Sequence, residues 1–94
     1  MTLTKSQYKL YEVVMVMSVA QIRAARGLLG WSQQQLAEAA GVGRATIADF
    51  ETGKRTPYAR TIEEMQRTLE SAGVIFLESG QAVTGGEGVR LSNE

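Results

Sequence analysis

Between Arg44 and Thr52 the chain carries side chains suited to hydrogen bonding with the edges of DNA bases. If this stretch is a helix with Ile47 and Phe50 turned toward a core, its outward face carries small and polar residues, namely Arg44, Ala45, Ala48, Asp49 and Thr52. An arginine at the start of such a helix can pair with guanine, whose O6 and N7 atoms match its two donors. The composition is typical of a helix whose first turn enters the major groove.

Residues suited to catalysis are sparse. The chain has neither His nor Cys, which excludes zinc fingers, Cys–His nucleophiles and Ser-His-Asp triads built within it. Glu63 and Glu64 are adjacent, and neighbouring helical residues diverge by about 100°, so the two carboxylates cannot face one substrate. The glycine-rich stretch TGGEG lacks the lysine of a phosphate-binding loop. We therefore expect no enzyme activity, no catalytic residues, no cofactor and no metal.

Two short helices are predicted on either side of a glycine-containing turn. Ser32 and Gln35 have the spacing of a capping box, and Trp31 with Leu36 has that of a hydrophobic staple. The first helix should stop at Gly41, and helical periodicity resumes after Gly43. Two short helices joined by a tight turn form the helix-turn-helix motif.

On these elements the chain resembles a known family. Residues 19–72 are similar to the phage-repressor (Cro/repressor, XRE-like) helix-turn-helix domain, through QIRAARGLLGWSQQQLAEAAGV, RATIADFETGKRTP and a fourth amphipathic helix. The resemblance implies DNA contacts from Gln33, Gly43, Arg44, Ala45, Thr46, Ala48, Asp49, Lys54 and Arg55. It also implies a structural ion pair between Arg26 and Glu51. Gly43 departs from the family, which usually has a Ser or Thr cap at this position.

Two further helices should complete the domain. Ser18 can cap a helix from about Val19 to Leu29, and Pro57 marks the approach to a helix from about Tyr58 to Ala72. Apolar residues of the last helix recur at helical spacing, at Ala59, Ile62, Met65, Leu69 and Ala72. Between the recognition helix and Pro57, Lys54 and Arg55 form a basic loop expected to meet the phosphate backbone.

The two ends of the chain have a different composition. Residues 1–17 form an apolar N-terminal arm, interpreted as strand-like from about Tyr11 to Met17, with a helical extension as the alternative. Residues 73–94 are expected to form a C-terminal β-hairpin from Val74–Leu77 and Val89–Leu91, with a dimerisation role. Residues 18–72 make up the DNA-binding domain between them. The predicted fold is mainly α: a repressor-like helix-turn-helix domain of four to five helices with a small β-hairpin.

Charge is unevenly distributed along a chain of zero net charge. Residues 18–67 carry seven Lys/Arg against five Asp/Glu, whereas residues 68–94 carry one against four. A mildly basic middle and an acidic end are consistent with a DNA-facing side opposite a DNA-free side. The chain has no apolar run of 18 residues, so no membrane span is expected, and the absence of Cys is consistent with a cytoplasmic protein.

Three functions remain open at this stage. The favoured hypothesis is a small repressor-like transcriptional regulator that binds a palindromic operator in double-stranded DNA as a homodimer. A narrower version is the antitoxin of a toxin–antitoxin pair, which would also bind a toxin. The alternative of another class is a protein-interaction module that does not bind DNA, which the zero net charge and Asp49 on the reading face would suit.

Overall fold

The computed structural model describes residues 16–93, which fold into four helices. They are α1 (Val19–Leu29), α2 (Gln33–Ala40), α3 (Arg44–Glu51) and α4 (Ala59–Ser71). This arrangement confirms the mainly α, helix-turn-helix fold predicted from the sequence. Within residues 16–93, no helix has the length and apolar character needed to cross a membrane.

Side-chain caps set where the first two helices begin. Ser32 accepts a hydrogen bond from the N–H of Gln35, and the Gln35 side chain accepts one from the N–H of Ser32. Ser18 and Gln21 form the same reciprocal pair at the start of α1. Each box satisfies two N–H groups that a helix start leaves free. Trp31, just before the α2 cap, packs against the core as expected for a staple.

The core lies where the four helices converge. Helix α2 packs on both α3 and α4, and α1 packs on the same two helices. The fully buried side chains are aliphatic or methionine: Met17, Ile22, Leu36, Ile47, Met65 and Leu69. Because α3 is in contact with both α1 and α2, the position of its outward face is determined by this core.

The segment before α1 is anchored to α4. Met17 is 1% exposed, and its N–H donates to the Oε1 of Gln66 at 3.0 Å. Gln66 is itself buried, and it donates from Nε2 to Glu70 at 3.2 Å. Of the predicted N-terminal strand, residues 11–15 lie outside the described residues, whereas Val16 and Met17 precede the first helix without forming a strand.

The C-terminal β-hairpin is not found, because residues 74–93 contain no β-strand. Val74 and Phe76 instead bury their side chains in the helical core. The last stretch is held by side-chain bonds rather than by a strand ladder. The guanidinium of Arg90 donates to the carbonyl oxygens of Gln81 and, at 3.0 Å, Glu78. The apolar run of residues 74–77 therefore packs on the helices and does not pair with residues 89–91.

Candidate nucleic-acid interface

A rigid three-residue turn joins α2 to α3. The N–H groups of Gly41 and Val42 both donate to the carbonyl oxygen of Ala37, at 2.9 and 3.1 Å. Gly41 has a φ of +72°, in the left-handed region that glycine adopts without a Cβ clash. Val42 packs against the core. These contacts fix the direction in which α3 leaves the turn.

Helix α3 has a buried face and an open face. Ile47, Phe50 and Glu51 are buried. The remaining side chains form what we call the α3 face, in which Arg44, Ala45 and Thr52 are exposed and Thr46, Ala48 and Asp49 are half-buried. Gly43, which precedes this face, is also exposed. The α3 face contains a cation at its start and mostly small side chains beyond it.

The basic loop after α3 folds back onto the end of that helix. The N–H groups of Lys54 and Arg55 donate to the carbonyl oxygen of Asp49 at 2.9 and 3.2 Å. Both side chains are exposed. Within residues 16–93, neither forms an ion pair. The loop thus holds two free cationic side chains next to the α3 face.

A buried ion pair connects α1 to the end of α3. Arg26 donates from Nε and Nη2 to the two carboxylate oxygens of Glu51, each at 2.7 Å. The Glu51 side chain is 4% exposed and that of Arg26 19%. Arg26 also donates from Nη1 to the carbonyl oxygen of Trp31 at 2.9 Å. A two-bond contact of this geometry is strong and orients both groups.

Gln33, the first residue of α2, contacts both ends of α3. Its Nε2 donates to Glu51 at 3.0 Å, and its Oε1 accepts from Nη1 of Arg44 at 3.3 Å. Because Glu51 accepts only, it determines which end of the Gln33 amide faces Arg44. The two predicted contact residues Gln33 and Arg44 therefore lie side by side.

Free backbone donors lie at the starts of α2 and α3. Gly43 caps α3 without a side-chain hydrogen bond. Within residues 16–93, the N–H groups of Arg44 and Ala45 have no acceptor, and the same is true of Gln33 and Gln34 at the start of α2. Free N–H groups at a helix N-terminus attract anions such as phosphate.

Comparison with known families agrees with this geometry. A family model described as helix-turn-helix matches residues 22–72, more than half of the chain. The chain belongs to the Cro/repressor-like (XRE) helix-turn-helix family. A search of curated proteins finds no match. The family match runs from within α1 through α2, the turn and α3 to the end of α4.

The ion pair between α1 and α3 is charged. Burial alone would raise the pKa of Glu51, but hydrogen bonds from Arg26 and Gln33, with the charges of Arg26 and Arg23, hold that pKa below its ordinary value. The hydrogen bond to Glu51 raises the pKa of Arg26 above its ordinary value, against the effect of burial. Both groups therefore stay ionised at neutral pH.

The structural roles of two residues, Gln66 and Gln33, were not predicted from the sequence. Gln66 accepts a hydrogen bond from the N–H of Met17 and so anchors the chain before α1. Its position four residues after Ile62 and three before Leu69 places it on the buried face of α4, and this spacing could have predicted its burial. The bonds of Gln33 to Glu51 and Arg44 had no such signal. Those partners are 18 and 11 residues away along the chain.

Proposed function

We propose that this protein is a sequence-specific double-stranded DNA-binding regulator of the repressor type that acts in the cytoplasm, with α3 in the major groove. The observation that carries the proposal is the α3 face. It is open to a ligand, begins with an arginine and is bordered by the free cations of Lys54 and Arg55. A helix of this kind on a fixed turn matches the docking geometry of helix-turn-helix proteins.

Arg44 is proposed to read a guanine. Its guanidinium is exposed at the first turn of α3 and makes one 3.3 Å contact with Gln33, which leaves most of its donors free. Arginine pairs with guanine O6 and N7 more often than with any other base edge. Ala45 and Ala48 offer methyl groups of the kind that contact thymine methyl groups, and the hydroxyl of Thr46 can take part in a water bridge to a base.

Gln33, Lys54 and Arg55 are proposed to contact phosphates. Gln33 lies at the start of α2, where the backbone N–H groups are free. Lys54 and Arg55 extend from the loop whose N–H groups donate to the carbonyl oxygen of Asp49. Gly43 lets a phosphate approach the free N–H groups of α3, because it has no side chain. Contacts of this type set position and orientation on the duplex without reading sequence.

The test compares Arg44→Ala with Lys54→Ala on a duplex site selected by the wild-type protein. Arg44→Ala should weaken binding by about 1–3 kcal/mol and relax the preference at one base pair. Lys54→Ala should weaken binding to all duplexes alike and lower the salt slope by about one. Arg67→Ala on α4 removes the same charge and serves as control. Equal loss on every sequence for Arg44→Ala would show that Arg44 does not read a base.

We also propose that two copies bind a palindromic operator. One helix-turn-helix reads few base pairs, so the usual solution is a twofold dimer with its recognition helices about 34 Å apart. The backbone of residues 74–77, which forms no β-strand, is a candidate for the contact between the two copies. Within residues 16–93, the N–H groups of Ile75, Phe76 and Leu77 have no acceptor, and an open edge of this kind can pair with its own copy around a twofold axis.

Sedimentation tests this assembly at protein concentrations of tens of micromolar. The wild-type protein should be a dimer, and Ile75→Lys should weaken association. Leu28→Lys is a matched control, because Leu28 is 56% exposed and Ile75 51%, while Leu28 belongs to α1 and not to the segment 74–77. A monomeric wild-type protein, or equal weakening by both variants, would refute this mode of assembly.

A further inference from the structure

Asp49 is the only acidic side chain on the α3 face. It is half-buried, and within residues 16–93 its carboxylate has neither a hydrogen-bond donor nor an ion-pair partner. Its backbone is fixed, because its carbonyl oxygen accepts the N–H groups of Lys54 and Arg55. The backbone of Asp49 is therefore held in place on the surface proposed to meet DNA, and no cation of the described residues pairs with its carboxylate.

The carboxylate borders an open depression beside α3. Ala45, Thr46 and residues 55–58 of the following loop line the same depression. Ala45 lies one helical turn before Asp49, and its methyl group is too small to cover the carboxylate. A group that approaches the α3 face can therefore reach the Asp49 oxygens.

The chemistry of the major groove restricts what that group can be. Guanine presents two acceptors, thymine an acceptor and a methyl group, and adenine a donor next to an acceptor. Cytosine presents only its N4 amino group, which is a donor. An unpaired carboxylate accepts hydrogen bonds and is repelled by other acceptors, so among the four bases cytosine suits it best.

We propose that Asp49 is a specificity-determining residue that accepts a hydrogen bond from N4 of a cytosine. This inference rests on the proposed DNA-binding function and assigns one further base of the site. Arg44 and Asp49 are five residues apart, which is about 7.5 Å of helix rise. That distance corresponds to about two steps along a DNA strand at 3.4 Å each. Asp49 therefore reads a different base pair from Arg44.

Replacing Asp49 by Asn tests the proposal with almost no change of shape. Sites are selected from random duplex DNA by the wild-type chain and by Asp49→Asn, and affinities are then measured on single-base variants. The wild type should require cytosine at one position of the half-site, and a different base there should weaken binding by about 5- to 100-fold. Asp49→Asn should prefer adenine at that position, since Asn pairs with adenine N6 and N7.

Two further variants separate base readout from charge. Asp49→Ala should lose the preference at that position without gaining another. Glu64→Gln removes an acidic charge from an exposed site on α4 and should leave every base preference unchanged. Because removal of a negative charge strengthens binding to any duplex, the readout is the ratio of affinities between sites.

The outcomes distinguish this inference from the function on which it rests. If the wild type and Asp49→Asn select the same base at every position, the Asp49 assignment is overturned while DNA binding stands. If the wild type selects no sequence and binds no duplex, the DNA-binding function fails and the Asp49 assignment fails with it. A cytosine-to-adenine switch confined to one position would support the assignment.

Discussion

Removing the Glu51 carboxylate should destabilise the fold strongly. Glu51 accepts three hydrogen bonds, two from Arg26 at 2.7 Å and one from Gln33 at 3.0 Å, and its side chain is 4% exposed. In Glu51→Ala the Arg26 cation loses its partner while it remains mostly buried. Breaking a buried pair from one side costs about 3–5 kcal/mol.

The lower end of that range applies here. Arg26 is 19% exposed and keeps its bond to the carbonyl oxygen of Trp31, so part of its charge remains solvated. We therefore expect a loss of about 3 kcal/mol. For a domain of this size the melting temperature should fall by about 12–24 °C, at 4–8 °C for each kcal/mol. Thermal unfolding followed by circular dichroism measures this shift.

An exposed ion pair on α4 provides the control. Glu64 lies 3.8 Å from Arg67, and both side chains are more than half exposed, so Glu64→Ala should change stability by less than about 0.5 kcal/mol. The double variant Arg26→Ala with Glu51→Ala should lose less than the two single losses combined, because neither charge is left unpaired. Equal melting temperatures for Glu51→Ala and wild type would refute the reasoning.

Three other predictions concern stability and are measured by urea unfolding. The Glu51 pKa is lowered on folding, so its contribution is complete above the unfolded pKa of about 4.3 and is lost as the pH falls through the folded pKa. The stability gap between wild type and Glu51→Gln should therefore narrow from pH 7 to pH 3, and a constant gap would contradict this. Gly43→Ser should raise the free energy of unfolding by a few tenths of a kcal/mol, because Gly43 is an N-cap residue with a negative φ and open space around it. Gly41→Ser should lower the free energy of unfolding by about 1 kcal/mol, because Gly41 has a φ of +72°. A loss for Gly43→Ser would show that its backbone does not accept a side chain. Phe76→Ala should lower the free energy of unfolding by about 3 kcal/mol, since Phe76 is in the core, whereas Val89→Ala should hardly change it, since Val89 is 85% exposed. Equal effects of the two variants would show that residues 74–77 do not stabilise the helices.

The helices could be predicted because their signals are local. Ser32 with Gln35 is a reciprocal cap that needs only three residues of spacing, and Gly41 ends α2 in a conformation that glycine favours. The exposure of Ala45 follows from the burial of Ile47 two residues later, because side chains two residues apart on a helix point in nearly opposite directions. For such features the sequence within one or two turns determines the structure.

The end of the chain could not be predicted in the same way. Val74, Phe76 and the alternation around Arg90 have the composition of strands, and local composition does not reveal what such a segment packs against. In this structure Val74 and Phe76 pack in the helical core. Arg90 donates hydrogen bonds to the carbonyl oxygens of residues 78 and 81. Likewise, the double contact of Gln33 depends on how three helices pack, which no spacing in the sequence reveals.

The most direct test of the account is whether the α3 face selects a DNA sequence. The full chain is used to select bound molecules from a random duplex library, and its affinity for the selected site is then compared with that for a scrambled duplex over a range of salt concentrations. The account predicts an enriched inverted repeat, bound at least about a thousandfold more tightly than the scrambled duplex, with affinity that falls steeply as salt rises. No enrichment, together with equal and salt-independent binding to both duplexes, would contradict it.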